Sequence, residues 1–359
     1  MKKILLIHQS SELYGSDRSF LSVAQIVCNL NYDVSILVPE QGPLTEKLKL
    51  LNAKLIIYDF GVLRKSKLKQ KPIHEIFKIL KGYYWSINQS KKFDIVYINT
   101  IVNITFILPL FNKKLKKIIH VRELPSTKAI AFFRFLFFLS KPRLIYNSKA
   151  VRDAFKRTGD VVYNASSIDI IKSKPKRSGI NILFVGRIND WKGADLLLDA
   201  IINLDHLSLI SNLYIVGSPY SGQEENLERL LTNSKALKNC KFHYMGFLEN
   251  PSYHFSISDI VVIPSKKPEP FGRVVIESIA YGNITVIADH GGMTEIIEDN
   301  YNGFKFTPNS VEDLKRVILF IIERFDSLDY IKKNAIRSYN ANFTPNILEK
   351  NITNFLKSL

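Results

Sequence analysis

Short apolar runs rich in Ile and Val recur along the chain and alternate with longer stretches of mixed apolar and polar residues. Runs at 4–8, 34–38, 55–58, 95–99, 117–121 and 144–146 read as strands of one unit. Runs at 182–185, 213–216, 242–245, 260–263 and 285–288 read as strands of a second. Near-continuous apolar runs, rather than alternating ones, are what strands covered on both faces require. Strands alternating with helical patterns point to parallel βαβ units. The polar stretch Lys172-Ser-Lys-Pro-Lys-Arg-Ser-Gly179 carries Pro175 and Gly179 and reads as the linker. The expected architecture is α/β, with two Rossmann-like doubly wound domains facing across a cleft. Ligands bind such sheets outside the C-terminal ends of the strands.

Composition narrows the classes. Of 359 residues, 46% are hydrophobic and 23% charged, the balance of a globular protein. Cys28 and Cys240 lie far apart and belong to no C-x-x-C pair, which excludes disulfide scaffolds and zinc ribbons and suggests a reducing compartment. The apolar start at residues 4–7 is too short for a secretory core and is followed by no cleavage site. The longest apolar stretches, 104–111 and 129–139, fall short of the roughly 20 residues that cross a bilayer.

The net charge of +17 is unevenly placed. Residues 1–175 hold 30 Lys and Arg against 12 Asp and Glu, a surplus of 18, whereas residues 176–359 hold 20 against 21. Such asymmetry suits an anionic partner of the first half, either nucleic acid or a membrane surface. Compact basic runs occur at 64–71 and 113–117. The run Ala129-Ile-Ala-Phe-Phe-Arg-Phe-Leu-Phe-Phe-Leu139 reads either as an interfacial helix on anionic lipid or as a buried helix. No nucleic-acid recognition module accompanies the charge.

Three segments carry chemistry. In Lys267-Pro-Glu-Pro-Phe-Gly-Arg-Val-Val-Ile-Glu277, Glu269 lies in a loop after a strand and Glu277 one turn into the next helix. Carboxylates accept hydrogen bonds in pairs and suit vicinal hydroxyls of a sugar or ribose. In Phe184-Val-Gly-Arg-Ile-Asn-Asp-Trp-Lys-Gly193, Arg187 and Lys192 follow a strand and precede a helix N-terminus, an arrangement suited to a diphosphate. In His290-Gly-Gly-Met-Thr-Glu-Ile-Ile297, the Gly291-Gly292 turn can present backbone amides to phosphate. The first loop, Leu13-Tyr-Gly-Ser-Asp-Arg-Ser-Phe20, fits neither G-x-G-x-x-G nor a P-loop.

Glu269 and Glu277, with seven residues between them and in Glu-Pro-Phe-Gly context, resemble the E-x7-E signature of retaining GT-B glycosyltransferases. Gly186-Arg187 with Lys192-Gly193 resembles the donor-phosphate motif of glycosyltransferase family 4, and residues 290–297 resemble its G-G-x-x-E-I-I turn. Tyr14 to Phe20 is similar to a variant of the family's N-terminal G-G-A-E-R loop. Asn147-Ser-Lys-Ala-Val151 and Val162-Tyr-Asn-Ala165 stand where the family has S-x-A-V and V-I-x-N-G-V.

The resemblance implies roles. Arg187 and Lys192 would neutralise the leaving diphosphate without a divalent metal or other cofactor. Glu277 would hold the ribose, and Glu269 the donor sugar beside the reacting centre. Backbone at Gly292, Met293 and Thr294 would bind sugar or phosphate, and Phe271 and Gly272 would shape that loop. His120 would stand beside the donor sugar, and Gly15 would let the first loop approach the diphosphate. Residues 1–172 would form the acceptor-side domain, with a helix near 345–359 packing back on it, and 173–344 the donor domain. The implied enzyme moves a hexose-type sugar from a UDP- or GDP-sugar to a glycan acceptor, lipid-linked, in bacterial surface-polysaccharide assembly. It would sit as a peripheral protein on the inner face of the cytoplasmic membrane. A soluble sucrose- or glycogen-type transferase and a non-catalytic nucleotide-sugar binding module are the alternatives.

Overall fold

The apolar runs pair in parallel, as their burial on both faces demands. In this computed structural model, residues 1–64, 68, 70–108, 115–167, 179–220 and 222–359 are described. The chain divides into two compact units, Met1–Ala165 with Pro345–Leu359 and Ser166–Thr344. The linker expected at 172–179, and the expected boundary at residue 172, fall almost wholly outside the described residues.

The first unit is built on β1 (Lys2–Ile7), β2 (Tyr32–Val38), β3 (Lys54–Ile57), β4 (Ile95–Asn99), β5 (Lys116–Val121), β6 (Arg143–Tyr146) and β7 (Asp160–Val161). Their order is β3-β2-β1-β4-β5-β6-β7, and the pairings are parallel, with Ile4 opposite both Val34 and Ile95. Side chains alternate between the two faces, so Ile4 and Leu6 enter one core and Leu5 and Ile7 the other. The Ile4 face is covered by helices Gly15–Cys28, Pro43–Leu48 and Pro345–Lys357, the last supplying Leu348, Ile352, Phe355 and Leu356. The Leu5 face is covered by Pro72–Ser90, Ile104–Ile107, Thr127–Ser140 and Lys149–Phe155.

The second unit has β8 (Ile180–Val185), β9 (Ile210–Val216), β10 (Lys241–Gly246), β11 (Ile260–Ile263), β12 (Ile284–Ala288) and β13 (Phe304–Phe306) in the order β10-β9-β8-β11-β12-β13. In both sheets the order reverses after the first strand, between β1 and β4 and between β8 and β11. These reversals open the crevice in which doubly wound sheets take ligands.

β7 and β13 are absent from the sequence reading. They are edge strands of two and three residues, too short to show as apolar runs. Several strands also start earlier than expected, at Tyr32, Lys54, Lys116, Arg143 and Lys241. The ladder extends over polar first residues that hydrophobicity alone does not mark.

Candidate active site

Two loops meet at the β8–β11 reversal. After β8, Asn189 Oδ1 accepts from the backbone N–H groups of Trp191 (3.3 Å) and Lys192 (3.0 Å), fixing the turn before helix Ala194–Leu204. Gly193 closes it at φ +78°, where a Cβ would stand 2.0 Å from the Pro264 carbonyl oxygen. After β11, Glu269 forms an isolated parallel bridge with Gly291, and its carbonyl accepts from Gly292 N–H at 2.7 Å. Gly291, in the loop after β12, has φ +70°, and a Cβ there would lie 2.5 Å from the Glu269 carbonyl oxygen, so the Gly-Gly turn is what lets this loop touch the one after β11.

The two loops join through their side chains. Lys192 Nζ donates to Glu269 Oε1 at 2.8 Å, with the side chains 19% and 9% exposed. Ser265 Oγ donates to the same carboxylate oxygen. Lys192 Nζ also lies 4.5 Å from the Trp191 ring centre. An ammonium carries three donors, so this pairing leaves Lys192 capacity for an anion. Arg187 takes a different place, with its guanidinium 5.0 Å from the Tyr220 ring centre.

The other expected residues of this unit have partners of their own. Glu277 Oε1 accepts from Arg273 Nε at 3.1 Å, Arg273 Nη2 at 3.0 Å and Ser166 Oγ at 3.4 Å, within helix Arg273–Ala280 and the segment opening the unit. Gly272 starts that helix at φ +107°, and Phe271 is buried with its ring 6.1 Å from that of Phe343. Met293 is buried, and Thr294 N–H donates to the Gly291 carbonyl at 3.3 Å. Gly292 and Thr294 thus use their amides inside the turn, bracing Glu269.

The first unit holds a separate polar cluster at its own reversal. His8 follows β1, Asn99 ends β4 and His120 lies in β5. Arg122 Nη2 donates to His120 Nδ1 at 3.1 Å, and Tyr97 Oη lies 2.6 Å from the same nitrogen. A guanidinium only donates, so Nδ1 is the unprotonated nitrogen and the ring proton sits on Nε2. Nε2 is buried with no hydrogen-bond partner among the described residues. Burial, then the Arg122 charge, holds His120 well below the usual histidine range, so the ring is neutral.

Arg122 Nε also donates to Asn99 Oδ1 at 2.6 Å, and its Nη1 to Asn164 Oδ1. Asn99 Nδ2 donates to His8 Nδ1 at 2.8 Å, which leaves His8 Nε2 to donate to Asp17 Oδ1 at 2.8 Å. Burial lowers His8. Burial pushes Asp17 up, but hydrogen bonds from His8, Ser10 and Tyr14 outweigh it and hold the carboxyl below its ordinary value. Asp17 Oδ2 accepts from Tyr14 N–H at 3.0 Å, fixing the backbone just before Gly15, the first residue of helix Gly15–Cys28.

The sequence reading gives no site role to His8, Asp17, Asn99, Arg122 or Ser265. The available signal is positional, since His8 and Asn99 close the two strands that flank the reversal. Among the described residues, no group of three or more His, Cys, Asp and Glu side chains is placed to hold a metal ion.

Residues 167–338 match the family model described as Glycosyl transferases group 1. The match is to a domain that forms most of the second unit and spans just under half of the chain. That domain contains Arg187, Lys192, Glu269, Phe271, Gly272, Glu277, Gly292, Met293 and Thr294, while Gly15 and His120 lie outside the matched residues. An uncharacterised glycosyltransferase of Methanocaldococcus jannaschii is 26% identical over 349 residues, covering 87% of this chain and 86% of its own. The lipopolysaccharide 1,2-N-acetylglucosaminetransferase of Salmonella typhimurium is 30% identical over 128 residues, 34% of each chain. The Anabaena protein HepE, solved with UDP and glucose, superposes with a TM-score of 0.81 at 22% identity over 100% of both chains. The chain therefore has the GT-B fold, with two Rossmann-like parallel sheets.

Proposed function

We propose that this chain is a retaining, metal-independent group 1 (family 4) glycosyltransferase that moves a hexose-type sugar from a UDP- or GDP-sugar to a glycan acceptor. The observation that carries the reading is the Lys192–Glu269 pair, held at the β8–β11 reversal by Ser265 and the Gly291-Gly292 turn. A cation and a carboxylate at hydrogen-bond distance suit the two parts of a nucleotide sugar that meet at the reacting bond, diphosphate and hexose. The Anabaena structure was solved with UDP and glucose, which supports a donor of that class.

When the anomeric C–O bond to phosphate breaks, charge builds on the leaving diphosphate. Fixed cations such as Lys192 and Arg187 stabilise that charge more in the transition state than before it. Glu269 would bind donor-sugar hydroxyls from the position that Ser265 and Lys192 give it. Glu277, anchored by Arg273, would take the ribose hydroxyls. The acceptor oxygen bonds to the anomeric carbon on the face the phosphate leaves, and its proton passes to the departing phosphate oxygen. His120, neutral with its proton on Nε2, would donate a hydrogen bond to the sugar, and Gly15 would let the first loop reach the diphosphate.

The acceptor reading is a lipid-linked glycan of bacterial surface polysaccharide, reached from the inner face of the cytoplasmic membrane. The Salmonella relative's action on lipopolysaccharide supports it, as does the basic first half of this chain. Among the described residues, no helix is long and apolar enough to cross a membrane.

The test is a panel of UDP- and GDP-sugars, scored first by thermal stabilisation and then by anomeric NMR of the transfer product. Retention of the donor's anomeric configuration is expected. An inverted product refutes the retaining mechanism, and binding without transfer or hydrolysis refutes the enzyme in favour of a binding module. Efficient transfer to small soluble sugars in place of lipid-linked glycans refutes the acceptor assignment.

A further inference from the structure

Helix Pro72–Ser90 buries one side and leaves an apolar stripe on the other. Ile79, Tyr83, Trp85 and Ile87 pack against the core on the Leu5 face of the first sheet. Ile73, Ile76, Phe77, Leu80 and Tyr84 are exposed, Ile73 to 85%, Phe77 to 68% and Leu80 to 59%. At 3.6 residues per turn, these five positions share an arc of about 100°. An outward apolar stripe of this width is what a helix core-packed on its opposite side does not need for folding.

Helix Thr127–Ser140 repeats the arrangement. Ile130, Phe133, Leu136 and Phe137 are buried, while Phe132, Phe135, Phe138 and Leu139 are exposed, Phe135 to 59% and Phe138 to 65%. The aromatic run is therefore buried on one side and exposed on the other. The short helix Ile104–Ile107 contacts both longer helices, so all three belong to one layer over one sheet face. The outward stripes thus share one side of the first unit.

The charge along this stretch of the chain is strongly positive, although Lys78 is paired with Asp59. Residues 64–143, which contain both helices, hold 18 Lys and Arg against three acids. Lys71, Lys81, Lys128, Arg134 and Lys141 are exposed, whereas Glu75, the single acid within these two helices, is buried. Much of the basic runs at 64–71 and 113–117 lies outside the described residues, but their charge adjoins these helices in sequence.

We infer that these two helices form a monotopic docking face for an anionic lipid bilayer. Their Phe, Ile and Leu side chains enter the interface, and the flanking Lys and Arg meet the headgroups. Amphipathic helices lie in the interface plane by this combination, with binding that scales with buried apolar area and with attraction to anionic lipid. The inference rests on the transferase reading for its purpose, which is to hold the enzyme where a lipid-linked acceptor is displayed.

The experiment is co-sedimentation of the full chain with vesicles of phosphatidylglycerol and phosphatidylcholine, and of phosphatidylcholine alone, at low and physiological salt. Wild type partitions onto the anionic vesicles, more strongly at low salt. Phe77→Gln/Leu80→Gln and, independently, Phe135→Gln/Phe138→Gln each reduce partitioning tenfold or more, with the far-UV spectrum unchanged because all four side chains are exposed. Wild type that ignores anionic vesicles at low salt overturns the inference, as do variants that bind as wild type does. A wild-type dimer that either variant makes monomeric overturns it in favour of contact between copies. Nucleotide-sugar binding is read separately, and its failure in wild type would remove the transferase reading while leaving the vesicle result standing.

Discussion

Lys192 Nζ and Glu269 Oε1 are 2.8 Å apart, although 77 residues separate them in the chain. The contact exists because β8 and β11 are neighbours in the sheet and the loops that follow them run into the same crevice. Both side chains are largely removed from water, so each fixes the other's position. A site built this way loses function as a unit. Lys192→Ala is expected to lower turnover by about 30–1000-fold, equivalent to ~2–4 kcal/mol of barrier. Glu269→Gln should give a comparable loss, and the double variant far less than the product of the two. Steady-state transfer kinetics on the three variants check this, and strictly multiplicative losses would show that the residues act separately.

The Gly291-Gly292 turn has a stability consequence that can be separated from catalysis. Alanine at 291 must adopt φ +70° and place its Cβ 2.5 Å from the Glu269 carbonyl oxygen, so strain and overlap add. We expect Gly291→Ala to destabilise its unit by ~2–4 kcal/mol, about half from the left-handed backbone and the rest from overpacking. Gly222 provides the control, with φ +80° and nothing within 4 Å of an added Cβ. Gly222→Ala should cost only the backbone part, ~1 kcal/mol. Urea midpoints of the two variants measure the difference, and equal losses would remove the role assigned to the loop contact.

Metal dependence follows from the same pair. If Lys192 and Arg187 supply the charge that stabilises the leaving diphosphate, turnover is unchanged by EDTA. Near-complete loss on chelation, restored by magnesium or manganese, would transfer that role from these side chains to an ion.

What the sequence discloses and what it hides divide along physical lines. Ile95–Asn99 and Ile260–Ile263 are legible to the residue because these central strands are almost wholly apolar. The edge strands Asp160–Val161 and Phe304–Phe306 are not, because two or three residues form no pattern. Glu269, Lys192 and the Gly-Gly turn stand out as local motifs, whereas their joining depends on which strands are neighbours. Arg122 reads as one more cation in a basic half, yet it is buried and holds the tautomer of His120. Helix Pro72–Ser90 is apolar on two sides, so its sequence alone does not say that Ile79 and Trp85 face the core while Phe77 and Leu80 face outward.

The last prediction concerns acid stability of the first unit. Glu123 Oε2 accepts from Arg122 N–H at 3.1 Å and Ile101 N–H at 3.2 Å, yet burial pushes its carboxyl up to about 7. Its folded value lies above its unfolded value of 4.5, so the stability it contributes is full below that value and is lost as pH rises through about 7. His8 and His120 act in the opposite sense. Their folded values are lowered from 6.5, so their contribution is present above 6.5 and is lost as pH falls below it. Between roughly pH 5 and 6.5 the carboxyl and the imidazoles offset one another. Glu123→Gln removes the offset, and its stability should fall more steeply on acidification across that window, by up to ~1.4 kcal/mol per pH unit. At pH 8 the same variant should be the more stable of the two, because it buries no carboxylate. The chain has two tryptophans, Trp85 in the first unit and Trp191 in the second, so a Trp191→Phe background lets Trp85 fluorescence report the first unit alone. Identical pH profiles of the urea midpoint with and without Glu123 would show that its carboxyl is ionised in the folded chain throughout this range.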